Sequence, residues 1–411
     1  MLICDLTQSY APKGGGGVST YLREKRRHIL ERTGHRLLQI VPGKEDRVIE
    51  RGRHIWVEVG AEQVRGSPNY RFILRTGAVR EVLEHYRPDV IESLCPWILP
   101  WTAINYRRAH PEVALVAGYH TDFPNVHVHR VSSQLFGATA AEVLRGITVR
   151  YAERTYRAFD RLYALNEPVR EQLAAWGIHH VDVLSLGVDT DQFSPARRDP
   201  AFREKLGLPE TGGPLLIYAG RLDNEKRADR LVDMFRRLPE ELGASLVMLG
   251  DGKLRDKLLR ETRGMAVALP GFVDDRDALA IALASSDIYV SAMADETFGI
   301  SVIEAQSSGL PVVGVASGAM PARVPARLGR LAPVDDVEAM AAHVMAIWPG
   351  QARIMGEAAR NHVLQRFSWE RTFNQLISEV YPAALARVAE RRSAVFGWAP
   401  PHRPELARSP I

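Results

Sequence analysis

The chain has few cysteines and no long apolar segment. Its 411 residues include two cysteines, Cys4 and Cys95, which are too few for a four-cysteine zinc site or for a disulfide framework. No apolar segment reaches the roughly 18 residues that a membrane-spanning helix needs. Asp5 lies where a secretion signal has an apolar stretch, so we expect a first β-strand there and a cytoplasmic protein.

The composition is that of a folded protein, and its charge is unevenly distributed. With 46% hydrophobic and 25% charged residues, the chain is typical of a globular protein, and its length predicts two or three domains. Residues 1–185 carry 25 basic and 20 acidic side chains, whereas the remainder carries 28 and 29. The basic first half favours an anionic ligand or surface. No aromatic-interleaved recognition motif accompanies this charge, so nucleic acid is not an expected partner.

Short apolar segments alternate with amphipathic helical patterns along the chain. This alternation predicts βαβ units and an α/β fold with parallel sheets that are covered on both faces. Strands are predicted at Leu2–Leu6, Leu37–Val41, Val90–Ser93, Ala114–Tyr119, Arg161–Ala164, Leu215–Ala219, Ser245–Leu249, Ile288–Ser291 and Pro311–Gly314.

Glycine and proline cluster between residues 186 and 214, which predicts a domain boundary near Ser185. We therefore expect two doubly wound domains, at 1–185 and 186–368, each resembling a Rossmann fold. A helical segment from Trp369 to Arg391 and a proline-rich tail complete the third predicted unit, at 369–411.

Two glycine-containing segments follow predicted strands. Gly14–Gly17 precedes a helix at Val18, where backbone N–H groups and the helix dipole suit a phosphate, although the segment could also be a simple turn. It matches neither a P-loop nor a dinucleotide-binding fingerprint. Gly220 is followed by Arg221 and Lys226, two cations that could bind a pyrophosphate or form a solvated basic loop.

Acidic residues and a histidine follow two further strands. Glu296 and Glu304 flank a predicted helix start at Gly299, where Phe298, Gly299 and Ile300 would direct N–H groups at an anion, unless this is only a capped surface helix. His120 directly follows the strand Ala114–Tyr119, and its position favours function over the structural role that a lone histidine more often has. The other histidines, such as His179 and His180, lack carboxylate or cysteine companions at ligand spacing, so we expect no metal site.

In order and spacing, these motifs resemble the family 4 retaining glycosyltransferases, which have the GT-B architecture of two facing Rossmann-like domains. The matching segments are Gly14–Val18, His120, Gly187–Asp189 with Phe193 and Pro195, Gly220–Arg221 with Lys226, Gly250–Gly252, Gly271–Val273, and Glu296 with Glu304. They extend from residue 14 to residue 313, about three quarters of the chain.

The resemblance implies a retaining, metal-independent hexosyltransferase that uses a nucleoside-diphosphate sugar and no cofactor. It implies four catalytic residues: His120 at the transferred sugar, Arg221 and Lys226 at the departing diphosphate, and Glu296 at the sugar hydroxyls. The implied donor-binding residues are Gly15, Gly16, Gly17, Gly220, Gly250, Phe272, Val273, Phe298, Gly299, Ile300 and Glu304, with Glu304 at the ribose. Between the possible donors, a UDP-sugar is expected in preference to a GDP-sugar.

The acceptor is less defined. The segment from His120 to Pro124 is similar to that of members that glycosylate lipids. The helix after the glycines carries a series of cations that could rest on anionic lipid at the inner face of the cell membrane: Arg23, Lys25, Arg26, Arg27, Arg32 and Arg36. A soluble sugar, polyol or phosphate acceptor remains an alternative, as does a GT-B sugar-nucleotide epimerase, which has no acceptor.

Overall fold

The computed structural model describes residues 1–11, 17–64, 71–296 and 298–396. Its strands are β1 Leu2–Leu6, β2 Ser9–Tyr10, β3 Arg36–Gly43, β4 Arg47–Arg51, β5 His54–Gly60, β6 Glu62–Gln63, β7 Arg71–Phe72, β8 Val90–Ser93, β9 Ala114–Tyr119, β10 Arg161–Ala164, β11 Val181–Val183, β12 Leu215–Ala219, β13 Ser245–Leu249, β14 Val267–Gly271, β15 Ile288–Val290, β16 Val312–Val315 and β17 Gly329–Ala332.

The helices alternate with these strands. They are α1 Gly17–Arg32, α2 Thr76–Tyr86, α3 Leu99–Ala109, α4 Arg130–Phe136, α5 Ala138–Tyr156, α6 Glu167–Ala175, α7 Phe202–Lys205, α8 Ala228–Phe235, α9 Arg255–Glu261, α10 Arg276–Ala284, α11 Ile300–Ser307, α12 Met320–Arg323, α13 Val337–Ile347, α14 Ala352–Arg366, α15 Trp369–Gln375 and α16 Tyr381–Phe396. Pro124–His129 and Leu376–Val380 are π-helical, and Pro195–Arg197 and Glu240–Leu242 are 3₁₀-helical.

Two large sheets organise the described residues, beside a small antiparallel sheet of order β2-β7-β6. The first has the strand order β11-β10-β9-β8-β1-β3-β5-β4 and is parallel except for β4, which runs antiparallel to β5. The second has the order β14-β13-β12-β15-β16-β17 and is parallel throughout. This second order is that of a doubly wound dinucleotide-binding domain, with its switch point between β12 and β15. The predicted α/β architecture with parallel sheets is confirmed.

The central strands of both sheets are buried on both faces, which explains their continuous apolar sequences. Every residue of β1, β9 and β13 is buried. Asp5 of β1 is the exception, because it is an ionisable residue and yet has no exposed surface. A charge in such a position needs a partner in the core.

The last helices return to the first sheet. Thr372 of α15 donates a hydrogen bond to the carbonyl of Ser185 (2.7 Å), and Arg387 of α16 donates one to the carbonyl of Asp160 (2.9 Å). The segment that follows the second sheet in sequence therefore packs on the first domain. The domain limits at 185 and 368 stay predictions; they lie between the last strand of one sheet and the first of the next, and just before α15. No helix within the described ranges is long and apolar enough to cross a membrane.

Candidate active site

The candidate site lies where the carboxyl ends of strands from both sheets approach each other. The strand β1 leads toward α1, and β15 leads toward α11. A side chain at Gly17 would place its Cβ 3.0 Å from Cδ1 of Ile300, so the first residue of α1 meets the first residue of α11 across the two domains. Gly14, Gly15 and Gly16 lie outside the described residues, and their binding role stays a prediction.

His120 follows β9 at the same edge. Its Nε2 lies 2.9 Å from the hydroxyl oxygen of Tyr163, and its ring makes an edge contact with Tyr21 at a centroid distance of 5.1 Å. Burial lowers the pKa of His120 to about 4, with the charge of Glu92 opposing that shift. The imidazole is therefore neutral near pH 7 and is held by aromatic neighbours on two sides.

The loop after β12 is shaped by close backbone approaches. A Cβ at Gly250, where φ is +149°, would lie 1.8 Å from the carbonyl oxygen of Gly220, and one at Gly252 would lie 2.4 Å from that of Leu222. These glycines let the loop after β13 press against the loop that carries Arg221. Only a residue without a side chain fits at either position.

The two predicted cations of this loop have different surroundings. Arg221 is about half exposed and forms ion pairs with Asp223 (2.5 Å) and Glu225 (2.8 Å). Lys226 extends toward the other loop, where its Nζ lies 3.3 Å from Oε2 of Glu296 and 2.8 Å from the Met293 sulfur. Lys226 and Glu296 thus join the carboxyl ends of β12 and β15, beside the switch point.

Glu296 is oriented by the start of α11. Its Oε1 accepts a hydrogen bond from the N–H of Gly299 (3.1 Å), which has a left-handed conformation with φ +83°. The backbone N–H groups at this helix start form a positive end to which a carboxylate or phosphate is attracted. Gly318 packs closely against the backbone of Glu296, since a Cβ at Gly318 would lie 2.6 Å from the Glu296 carbonyl oxygen.

Glu304 is buried on α11. Its Oε1 accepts a hydrogen bond from Arg276 at 2.6 Å, and the Arg276 guanidinium lies 4.6 Å from the ring centre of Phe193. Arg276 also lines an open cavity of about 740 Å³ between α1 and the 189–197 segment. The sequence did not single out Arg276, which contacts the carboxylate that was predicted to bind the ribose.

The predicted base-pocket segment follows β14. Gly271 has φ +96°, and its carbonyl accepts the N–H of Gly250 at 2.9 Å. Phe272 is 47% exposed, and Val273 is partly buried against the core. An exposed aromatic ring beside the glycine turn offers a surface on which a base could stack.

Arg323 is a site residue that sequence reasoning missed. It is 4% exposed, and its guanidinium lies 3.9 Å from the ring centre of Phe298 and 4.6 Å from that of Phe367. Its Nε donates a hydrogen bond to the Phe298 carbonyl (2.8 Å). Burial lowers the pKa of Arg323 to about 10, with Glu296 opposing the shift, so Arg323 stays charged while it contacts Phe298.

Two family profiles match the chain in succession. The profile described as Glycosyltransferase Family 4 matches residues 15–192, and that described as Glycosyl transferases group 1 matches residues 213–348. The chain is 28% identical over 388 residues to the GDP-mannose-dependent alpha-(1-6)-phosphatidylinositol dimannoside mannosyltransferase of Mycobacterium tuberculosis, covering 94% of this chain and 97% of the relative. It is 31% identical over 402 residues to a GDP-mannose-dependent alpha-mannosyltransferase of Mycolicibacterium smegmatis, covering 94% and 98%.

The fold agrees with a solved structure. The sucrose-phosphate synthase of Thermosynechococcus elongatus superposes with a TM-score of 0.71 at 19% identity, covering 96% of this chain and 99% of that chain. At this identity the likeness bears on the fold alone. The architecture is GT-B, as the sequence predicted.

Proposed function

Because the chain belongs to glycosyltransferase family 4, we propose that it is a retaining, metal-independent mannosyltransferase that uses GDP-mannose and a lipid-borne acceptor. The observation that carries this proposal is the Lys226–Glu296 pair at the start of α11. It brings a cation for the leaving diphosphate and an acceptor for sugar hydroxyls to one point between the two sheets.

The donor in this proposal differs from the one that the sequence favoured. The expected preference for a UDP-sugar is not supported, since the relatives that match over almost the whole chain are named as GDP-mannose-dependent. GDP-mannose is therefore the donor that we propose. Phe272 and Val273 would line the guanine pocket, and Glu304 would accept hydrogen bonds from the ribose hydroxyls.

Transfer would proceed by separation of charge. As the sugar–diphosphate bond breaks, negative charge grows on the GDP oxygens, where Lys226, Arg221 and the N–H groups at Gly299 and Ile300 would offset it. For Arg221 to take part, it exchanges Asp223 or Glu225 for phosphate oxygens. The acceptor hydroxyl would attack the face from which GDP departs and pass its proton to a phosphate oxygen, so that configuration is retained.

The structure changes the proposed membrane contact. Lys25 was expected on a basic surface of α1, but it is fully buried and pairs with two carboxylates in the core. Arg23 and Arg27 of the same helix bind Glu24, and Arg27 also binds Asp189. Three cations that the sequence assigned to lipid therefore pair with carboxylates of the protein itself.

A different surface suits a bilayer better. The α4–α5 hairpin exposes a series of apolar side chains, the hairpin patch: Leu135, Phe136, Val143, Leu144 and Ile147. The hairpin patch follows His120 in the chain, and it lies in the first domain, which the sequence predicts to bind the acceptor. Exposed apolar side chains close to an exposed arginine such as Arg150 are typical of peripheral attachment to anionic lipid.

Transfer of radiolabelled mannose from GDP-mannose to liposomes that contain phosphatidylinositol or its mannosides tests the proposal. We expect a lipid-extractable product with an α linkage, formed equally well in EDTA. Product formed only from UDP-sugars, or only on a soluble inositol phosphate, would contradict the donor or the acceptor. An epimerised nucleotide sugar formed from donor alone would instead support the epimerase alternative.

The hairpin patch is tested by co-sedimentation with anionic liposomes. A Leu135→Ser/Phe136→Ser/Ile147→Ser variant should lose most of its binding, since each change removes apolar area from the lipid contact. Ile354→Ser is the matched control, because Ile354 is equally exposed (61%) but lies on α14 of the other domain. Equal binding by the two variants would contradict the assignment of this surface.

A further inference from the structure

A row of polar side chains crosses the otherwise apolar core of the first sheet. In the parallel register, Asp5 of β1 lies opposite Gln39 of β3 and opposite Glu92 of β8. All three are buried. Residues opposite each other in register share one face of a sheet, so two carboxylates lie side by side away from water. Such an arrangement is stable only with a cation and further hydrogen bonds.

Lys25 supplies that cation from α1. Its ammonium group donates hydrogen bonds to Asp5 and, at 2.7 Å, to Oε2 of Glu92. Burial acts to raise the pKa of Glu92, but the charge and hydrogen bond of Lys25, with hydrogen bonds from Tyr381 and Tyr21, hold it below its ordinary value. Glu92 is therefore an ionised carboxylate, which can only accept hydrogen bonds.

Tyr163 connects this carboxylate to the site. Its hydroxyl donates to Oε1 of Glu92 at 2.7 Å. Tyr163 lies on β10, opposite Gly118 of β9. A Cβ at Gly118 would fall 2.4 Å from the Tyr163 hydroxyl oxygen and 2.7 Å from Nε2 of His120, so the absence of a side chain there makes room for the contact between them.

The direction of these hydrogen bonds determines where His120 carries its proton. Tyr163 has one hydroxyl proton, and the hydroxyl donates it in the hydrogen bond to Glu92. The Tyr163 oxygen can then only accept from His120, whose Nε2 lies 2.9 Å away. Because the imidazole is neutral, its one N–H is at Nε2, and Nδ1 keeps a lone pair.

We propose that Glu92 and Tyr163 are positioning residues that hold His120 in the Nε2–H tautomer, so that Nδ1 accepts a hydrogen bond from a hydroxyl of the donor sugar. The sugar contact rests on the proposed function, whereas the tautomer rests on the hydrogen-bond chain alone. The arrangement follows the physical pattern by which a buried carboxylate orients a functional histidine, here with a tyrosine between them.

The tautomer can be read directly by long-range ¹H–¹⁵N NMR on protein labelled with ¹⁵N-histidine, with the His120 signals assigned from a His120→Asn variant. In the wild type we expect a protonated Nε2 and an unprotonated Nδ1. Tyr163→Phe removes the acceptor and should give a mixture of tautomers. Gly118→Ala should do the same without removing a titratable group, because the added methyl pushes the Tyr163 hydroxyl and Nε2 of His120 apart.

Tyr381→Phe is the matched control. Tyr381 donates to the other oxygen of the same carboxylate, Oε2, and is equally buried. This change should lower the melting temperature about as much as Tyr163→Phe does, yet leave the His120 tautomer and kcat unchanged. Tyr163→Phe should lower kcat about tenfold, the equivalent of one hydrogen bond, with the Kd for GDP unchanged.

Three results would overturn the proposal: a wild-type His120 protonated at Nδ1, a Tyr163→Phe variant with wild-type nitrogen shifts and kcat, or equal effects of Tyr163→Phe and Tyr381→Phe on the tautomer. The nitrogen shifts are independent of any donor. If the chain transferred no mannose, they would still decide the positioning role, and the failure would belong to the proposed function.

Discussion

Replacing Lys226 with methionine removes a positive charge from the candidate site and keeps most of the side-chain volume. The Lys226 side chain is 23% exposed and that of Glu296 is 16% exposed, so the pair is partly shielded from water. Without Lys226, Glu296 keeps the N–H of Gly299 as a partner but loses its cation. A diphosphate bound at this position would then face an unneutralised carboxylate.

The size of the effect follows from the kind of contact that is lost. A hydrogen bond to a charged group contributes about 2 kcal/mol, which corresponds to about 30-fold in Kd. We expect Lys226→Met to weaken GDP binding by about this factor. The further loss should appear in kcat, because the charge on the leaving group is greatest in the transition state.

Isothermal titration with GDP and initial rates with GDP-mannose measure the two quantities. Arg230→Met is the matched control: Arg230 lies four residues on, but its ion pairs are with Asp233 and Asp335. This variant should bind GDP as the wild type does. A folded Lys226→Met protein whose Kd for GDP changes by less than about threefold would refute the role given to Lys226.

Three further predictions concern the support of the site. Gly250→Ala should displace the Gly220 loop, costing about 1–3 kcal/mol in urea unfolding and weakening GDP binding, and wild-type affinity would contradict the close approach. Arg323→Met should lower the free energy of unfolding by about 2 kcal/mol through loss of a buried hydrogen bond and ring contacts, and an unchanged urea midpoint would show that these contacts add nothing. Burial lowers the pKa of His54 and of His120 to about 4, so their neutral forms stabilise the fold above pH 6.5, and that stability is lost as the pH falls from 6.5 to 4. In a His54→Asn/His120→Asn variant, the free energy of unfolding should decline less over this pH range. Parallel curves of unfolding free energy against pH for variant and wild type would argue against burial as the cause.

The strands of the two sheets were largely predictable from the sequence. Val90–Ser93, Ala114–Tyr119 and Ser245–Leu249 have the predicted limits, because a strand buried on both faces is a short apolar run between turn residues. Five strands of these sheets were missed: β4, β5, β11, β14 and β17. From Ile55 onward, the buried positions of β5 alternate with partly buried ones, and arginines and acids surround the strand, so no continuous apolar run marks it.

The positions of the site residues at strand ends also followed from sequence. His120 and Lys226 lie at the edge that the βαβ pattern predicts, since parallel strands direct their carboxyl ends the same way. The ion-pair partners of the buried charges could not be predicted from the sequence. Lys25 was assigned to a basic helix surface that could rest on anionic lipid, because its two carboxylate partners are 20 and 67 residues away and share no motif with it. The available signal was a charged residue inside an apolar strand, at Asp5 in β1 and at Glu92 in β8.

A crystal structure with GDP bound is the most direct test of where this protein performs its chemistry. We expect the diphosphate between Lys226 and the N–H groups at the start of α11, with the ribose at Glu304 and Gly17 within reach across the two domains. A GDP molecule bound elsewhere, with Lys226 still paired to Glu296 and no ligand between the two sheets, would contradict it.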